Sequence, residues 1–422
     1  MDGTGATGPV HAVPALSRCI GISAAEFAEG YWSRRPLYSP ASDTGARFDD
    51  LLSFDGIDEL LSRRGLRTPF IRMANQGKVI PASAYTRSGG AGAGIADQVA
   101  DDRVLALLAD GASLVLQGLH RNWPPLMDFG SALAGELGHP VQINAYLTPP
   151  RNQGFSAHYD THDVFVLQVS GRKRWRVHAP VLTDPLADQI WQDRRAEVAA
   201  RAAEQPLLEL ELEPGDALYL PRGYLHSAVA LGQNCLHLTV GVHPVTRYSL
   251  LRQLLAAAAD EPALRRSLPI GADLSDPTTL GPELAETCKD LLAFLGRSRL
   301  PAVSGGLAAE LASNTRPAPI SPLSQLEVLA ELGPDTVLRL RPGLRPRLEQ
   351  TGAELVLSAV DQRIVLALSA ETAMKQVLSG EPISAGALAG PGPTESLELV
   401  RRLLAAAVLV PADPPAVRPS RG

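Results

Sequence analysis

The chain has 422 residues, 45% of them hydrophobic, and a formal net charge of −6. This length suits two or three domains, and the acidic balance argues against a general polyanion binder. Three widely separated cysteines (Cys19, Cys235 and Cys288) argue against a disulfide framework or a thiolate zinc site and favour a reducing compartment. Because no uncharged apolar run approaches the roughly 20 residues of a membrane span and no signal-peptide pattern is present, we expect a soluble cytoplasmic protein.

The first half of the chain changes from a helical to a strand pattern. Residues 1–15 are predicted to be disordered, and residues 101–138 show a largely helical pattern. From Val141 onward, short apolar segments alternate with Pro and Gly turns, as is typical of β-strands. The predicted strands cover 141–147, 163–169, 173–179, 207–212, 216–220 and 235–242. Their spacing predicts a β-barrel or sandwich over roughly 100–245, within a domain that we assign to 16–245.

After Pro244 the strand pattern stops. Residues 246–321 are predicted to form a helical module, and residues 322–410 a small α+β unit. The proline-rich end, 411–422, is predicted to be disordered. The segment RLRPGLRPR carries four arginines: Arg339, Arg341, Arg345 and Arg347. Since it contains no aromatic residue and the chain is acidic overall, a solvated face or a protein-docking surface is favoured over direct nucleic-acid binding.

The stretch HYDTHDVFVLQVSGRKRW, 158–175, opens with side chains that can bind a metal. His158 and Asp160 are two residues apart, so they point to one face of an extended segment. His162 has the same parity, but four residues of strand span about 13 Å, which is too far to share a metal with His158. A lone His-x-Asp pair also occurs by chance on surfaces, so a metal site needs a third ligand.

The segment GDALYLPRGYLHSA supplies a candidate third ligand. It resembles the second cupin motif, G-x5-P-x-G-x2-H, at Gly215, Pro221, Gly223 and His226, although Ala230 replaces the asparagine that usually closes it. We therefore interpret His226 as a metal ligand rather than a packed histidine. Two imidazoles and one carboxylate leave three open coordination positions, an arrangement typical of non-haem Fe(II) oxygenases.

The strand GRKRWRV carries a lysine on an otherwise apolar face. Lys173 shares its face with Trp175 and Val177, whereas the arginines lie on the solvated face. A buried lysine needs an anionic partner or loses its charge, unless it reaches the strand end or pairs with a structural carboxylate. An Fe(II) oxygenase that uses 2-oxoglutarate needs a cation for the far carboxylate of that co-substrate. Lys173 could supply it.

Residues 144–180 closely resemble the JmjC-type ribosomal oxygenases, and the similarity is dense over roughly 105–245. These are cupin-like 2-oxoglutarate enzymes that hydroxylate ribosomal protein side chains. The resemblance implies a mainly β fold, a double-stranded β-helix (cupin/JmjC jelly roll) with helices around it. It also implies a helical dimerisation region and a C-terminal winged-helix-like domain, hence a homodimer.

The resemblance also implies roles for individual residues. Fe(II) is expected at three of them: His158, Asp160 and His226. The 2-oxoglutarate carboxylate is expected at Lys173, and Asn144 and Tyr146 match positions that line the cofactor pocket. The chain departs from some relatives at Gly241, where they carry a serine, so that contact is absent or replaced. His237 is interpreted as a histidine of the core or one that supports the site.

The implied reaction uses Fe(II), 2-oxoglutarate and O2 to hydroxylate a protein side chain, with Arg or His of a ribosomal protein as the substrate type found in the family. The same chemistry on an N-methyl group would make the protein a lysine demethylase. A non-catalytic metal-binding cupin that acts as a sensor or scaffold is a third hypothesis. A metal-dependent cupin hydrolase or isomerase would not need Lys173, which separates that hypothesis from the others.

Overall fold

The computed structural model describes residues 13–412 except 76, 93, 151–155, 272, 297–299, 360–361 and 390–391. The chain divides into two compact units, Met1–Pro244 and Val245–Gly422. Most of both predicted disordered segments lies outside the described residues. At their inner ends, Ala15 is buried and its N–H donates to Glu136 Oε1 over 2.7 Å, and Pro411 ends a strand. Order therefore extends slightly further than the composition predicted.

The first unit is built mainly from antiparallel strands. Its strands are β1 (Leu37–Ser39), β2 (Ile71–Asn75), β3 (Lys78–Val79), β4 (Thr86–Arg87), β5 (Gln98–Val99), β6 (Ser113–Leu116), β7 (Val141–Thr148), β8 (Asp163–Ser170), β9 (Lys173–His178), β10 (Leu208–Leu212), β11 (Ala217–Leu220), β12 (Leu225–Ala230) and β13 (Cys235–Val242). Its helices are α1 (Ala24–Gly30), α2 (Ala41–Thr44), α3 (Phe54–Arg63), α4 (Asp101–Ala109), α5 (Pro124–Leu137) and α6 (Arg195–Ala202).

Two sheets face each other and form the β-core. Eight strands pair in the order β1-β11-β8-β13-β7-β6-β2-β3, and three in the order β10-β9-β12. One apolar cluster lies between the sheets: Val164, Val166, Trp175, Val177, Leu212, Leu218 and Leu220. Because side chains alternate along a strand, the next residues of β8, Phe165 and Leu167, join the larger cluster on the outer face, where helices cover the sheet.

Two local predictions differ from the observed elements. Ser113–Leu116 is a strand within the segment that the sequence predicted to be largely helical, and all four of its residues are buried. Continuous burial produces an apolar run that has neither the helical nor the strand period. Leu225–Ala230 is also a strand, which the sequence did not predict because its polar start carries His226.

The second unit combines helices with two small sheets. Its helices are α7 (Arg247–Ala258), α8 (Pro277–Leu295), α9 (Leu300–Asn314), α10 (Pro322–Ala330), α11 (Glu371–Leu378) and α12 (Pro393–Ala405). Its strands are β14 (Val337–Leu340), β15 (Arg347–Thr351), β16 (Glu354–Ala359), β17 (Gln362–Ala367), β18 (Ile383–Ser384) and β19 (Leu409–Pro411). The sheet orders are β18-β14-β19 and β15-β16-β17.

Two arginines of the RLRPGLRPR segment make contacts within the second unit. Arg341 Nε donates to the carbonyl of Ala318 over 2.6 Å, and Arg347 pairs with Glu349 over 2.6 Å. These contacts account for part of the arginine run without a bound polyanion. Among the described residues, no helix has both the length and the apolar character needed to cross a membrane.

Candidate functional site

The two candidate histidine ligands face each other across a short backbone bridge. The N–H of His158 donates to the carbonyl of His226 over 3.2 Å, and the N–H of His226 donates to that of His158 over 2.9 Å. The two ring centroids are 4.5 Å apart. Residues separated by 68 positions in the chain therefore meet because β12 returns beside the segment that leads into β8.

A tight turn before β12 fixes this approach. Gly223 has φ +88°, and a Cβ at this position would lie 2.4 Å from the carbonyl oxygen of Leu182. Only glycine fits both the left-handed backbone and the close contact. The N–H of Gly223 donates to the carbonyl of Asp160 over 3.0 Å, so the turn that positions His226 also holds the candidate carboxylate ligand.

The three candidate ligands form a compact group. Ligand atoms of His158, Asp160 and His226 all lie within 4.8 Å of one another, and Asp160 Oδ2 is 3.7 Å from His226 Nε2. Within the part of the chain that the structure describes, this is the one group of three or more His, Cys, Asp or Glu side chains close enough to share an ion.

Backbone carbonyls set the tautomers of both histidines. His158 Nδ1 lies 2.8 Å from the carbonyl oxygen of Ser156, and His226 Nδ1 lies 3.2 Å from that of Tyr224. A carbonyl only accepts, so each Nδ1 carries the proton and each Nε2 presents a lone pair. Such support is usual for metal-ligating histidines.

Electrostatics keep the group in its ligating form. Burial, together with the neighbouring His158 imidazole, lowers the pKa of His226 to about 4, so it is neutral at physiological pH. Burial raises the pKa of Asp160, but the imidazoles of His162, His226 and His158 outweigh that effect and hold it below its ordinary value. Two imidazoles and one carboxylate are a donor set that fits Fe(II) and leaves coordination positions for other ligands.

Lys173 is buried close to this group and has no carboxylate partner among the described residues. It is 4% exposed, and its Nζ donates to Thr148 Oγ1 over 2.9 Å and to His237 Nδ1 over 3.0 Å. Burial lowers the pKa of Lys173 to about 7. Burial and the Lys173 ammonium lower the pKa of His237 well below its usual range, in keeping with a neutral ring that accepts from Nζ. A carboxylate placed here would restore the lysine charge.

Lys173 and the ligand group lie along a polar stripe inside the β-core. Partners across β7 and β13 face the same side, and the stripe consists of four such pairs: Thr148 with Cys235, Tyr146 with His237, Asn144 with Thr239, and Gln142 with Gly241. On β8, the partners of Thr239 and Gly241 are Val166 and Val164, which belong to the apolar cluster between the sheets. One half of the interior is therefore lined by polar side chains and the other half by apolar side chains.

The remaining residues singled out from the sequence also lie on or beside this stripe. Tyr146 stacks on the ring of His237 with centroids 4.9 Å apart, and burial raises its pKa to about 12. Asn144 Oδ1 accepts from the N–H of Gly118 over 3.0 Å, which gives this side chain a structural contact as well. Trp175 is 5% exposed and meets His237 edge to face at 5.5 Å.

Sequence reasoning missed Thr148 and the contact between His237 and Lys173. A signal for Thr148 was available, because it continues the alternation of Asn144 and Tyr146 along the predicted strand. No sequence signal indicated the contact with His237, since 64 residues separate it from Lys173.

Comparison with known proteins finds similarity over the β-core. The JmjC domain family matches residues 131–250. The chain is 31% identical over 256 residues to the bifunctional lysine-specific demethylase and histidyl-hydroxylase NO66 of Drosophila mojavensis, covering 59% of the chain and 28% of that protein. It is also 31% identical over 246 residues to ribosomal oxygenase 1 of Gallus gallus, covering 58% of the chain and 39% of the relative. The chain thus spans well under half the length of these relatives.

The fold is similar to that of a solved bacterial protein. The structure of YcfD, a ribosomal oxygenase from Escherichia coli, in complex with cobalt and 2-oxoglutarate superposes with a TM-score of 0.52 at 18% identity. The match covers 94% of this chain and 99% of YcfD. At this identity the likeness concerns the fold alone. Taken together, these findings show that residues 131–250 match the JmjC domain family and that the chain is similar to NO66 and to ribosomal oxygenase 1.

Proposed function

We propose that this protein is an Fe(II)- and 2-oxoglutarate-dependent oxygenase that hydroxylates a protein side chain. One observation carries the proposal. A two-histidine, one-carboxylate group and a buried lysine without a carboxylate partner lie inside the same β-core. A metal-dependent hydrolase needs the first feature only, whereas a dicarboxylate co-substrate bound to the metal explains both.

The residues of the chain have distinct tasks in this reaction. His158, Asp160 and His226 would hold Fe(II), with both imidazoles oriented by backbone carbonyls. Lys173 Nζ and Thr148 Oγ1 would bind the far carboxylate of 2-oxoglutarate. With Fe(II), 2-oxoglutarate and O2 bound, the cofactors supply oxidative decarboxylation to succinate and CO2 and the transfer of the second oxygen atom into a substrate C–H bond. The apolar half of the interior excludes water.

The substrate and the role of the second unit are part of the proposal. The names of the relatives support a ribosomal protein as the substrate and His as the hydroxylated residue, and the family resemblance adds Arg as the alternative. We assign residues 246–321 to homodimerisation, since α7 exposes several leucines such as Leu251 (53%) and Leu255 (59%). We further propose that residues 322–410 form a winged-helix-like domain and that the protein acts in the cytoplasm.

A lysine demethylase is the second candidate, favoured by the bifunctional name of the fly relative. The ligand group does not separate the two reactions, because hydroxylation of an N-methyl group releases formaldehyde from the same chemistry. The products differ: hydroxylation adds the mass of one oxygen to the substrate, and demethylation removes a methyl group.

The test follows succinate. Purified protein is loaded with Fe(II) under anaerobic conditions and given 2-oxoglutarate and O2, with and without a ribosomal protein extract. We expect succinate that rises with extract, and one extract protein that gains the mass of one oxygen. The His158→Ala variant should form none, whereas His139→Ala, a half-buried histidine stacked on Trp32, serves as the matched control. Absence of succinate from metal-loaded protein would favour a binding cupin, and formaldehyde release would favour the demethylase.

A further inference from the structure

The polar stripe is closed at one end and open at the other. Around Lys173 the side chains are buried: Thr148 is 2% and His237 5% exposed. At the opposite end of the stripe Gln142 and His162 are half-buried, and His243 is exposed. Among the described residues, this exposed end is the one that a side chain of another protein could approach, and we call it the mouth.

His162 lies at the mouth and packs closely against a glycine. Its ring lies directly over Gly241: a Cβ at position 241 would be 2.5 Å from Cδ2 and 2.6 Å from Nε2 of His162. Any other residue at 241 would displace this imidazole. Gly241 does not have a left-handed backbone, so the glycine is required by the approach of His162 and not by its own φ.

Two further contacts fix the imidazole. Its Nε2 lies 3.4 Å from Gln142 Nε2, and its ring stacks on that of His243 with centroids 5.1 Å apart. Its nearness to the metal group is seen in its influence on Asp160, whose pKa it lowers. The polar group at the mouth is therefore the imidazole of His162, which lies in the segment leading into β8. The position that faces it on β13 is Gly241, which has no side chain.

We infer that His162, seated on Gly241 beside Gln142, is the residue that recognises the substrate side chain, and that it favours a neutral hydrogen-bonding group such as an imidazole or a carboxamide. This inference rests on the proposed function. An imidazole and a carboxamide together offer both donors and acceptors. The carboxylate near His162 is that of Asp160, which would be bound to the metal, so a guanidinium or ammonium group would lack its usual anionic partner.

The test uses synthetic peptides from ribosomal proteins, each with one target residue (His, Asn, Gln, Arg or Lys), and measures the gain of one oxygen by mass spectrometry. We expect oxygenation of peptides with His, Asn or Gln. For the best peptide, His162→Ala should raise KM at least about tenfold with a smaller change in kcat, the loss expected for one hydrogen bond to a substrate. His162→Asn, which keeps a donor and an acceptor, should recover part of the affinity.

The close contact between His162 and Gly241 allows a second test by substitution. Gly241→Ser should raise KM by displacing His162, and in the His162→Ala background it should cost nothing further, because the clash is gone. His139→Ala is the matched control. An unchanged KM in His162→Ala, additive effects of the two substitutions, or oxygenation confined to Arg or Lys peptides would overturn the inference. Succinate formation without oxygenation of any peptide would count against it but leave the oxygenase standing, whereas absence of succinate would remove both.

Discussion

We predict that the buried Lys173 makes the affinity for 2-oxoglutarate depend on pH. The pKa of Lys173 is about 7, because burial removes the ammonium from water. The far carboxylate of 2-oxoglutarate needs the protonated form of Lys173. For such a pKa, this form is about 90% populated at pH 6 and about 10% at pH 8. If the bound carboxylate keeps the lysine charged, the dissociation constant rises about tenfold over this range, or about 1.4 kcal/mol. His226, with a pKa of about 4, does not titrate there.

Isothermal titration calorimetry can measure this effect on protein loaded with a redox-inert metal under anaerobic conditions. Titrations in two buffers with different heats of ionisation count the protons taken up, and we expect this number to approach one per 2-oxoglutarate above pH 7. Lys173→Arg should bind without this dependence, since a guanidinium remains charged. Arg174→Met changes the exposed face of the same strand and is the matched control. An affinity of the unmodified protein that is flat from pH 6 to 8 would refute the reasoning.

Further outcomes are expected for four variants and for the pH dependence of stability. His158→Ala should weaken Co(II) binding more than about 100-fold, measured by Co(II) absorption, since even residues that only support a ligand contribute 10–100-fold. Lys173→Met should abolish 2-oxoglutarate binding. It should also stabilise the protein by roughly 1–4 kcal/mol near pH 7 in urea unfolding, because a buried cation is removed. The unsubstituted protein should gain stability as pH rises from about 7 toward 10.5, because in this range only the unfolded state keeps the proton of Lys173. Gly223→Ala should lose more than about 3 kcal/mol of stability, since its Cβ would meet the carbonyl of Leu182, and an unchanged urea midpoint would contradict this. Leu251→Asp on α7 should convert a dimer into monomers in light scattering, and a mass unaffected by the substitution would exclude this helix from the interface.

The sequence by itself was enough to predict the candidate ligands and most of the strands. Spacing placed His158 and Asp160 on one face of an extended segment, and the turn residues before His226 made that histidine the candidate third ligand. Alternation along β9 predicted that Lys173 points inward, and the burial of Lys173 and Trp175 agrees with this. These features are local, because the period of a strand and the φ requirement of a glycine are properties of a few neighbouring residues.

The tertiary structure decided what lies beside each of these residues. The bridge between His158 and His226, the hydrogen bond from Lys173 to His237 and the contact of His162 with Gly241 all join residues more than 60 positions apart. Periodicity carries no information on which strands become neighbours, and burial erased it at Ser113–Leu116. The amino acids therefore supplied the candidate ligands and the buried charge, whereas the pairing of β13 with β7 and β8 formed one stripe beside them, with a closed end and a mouth.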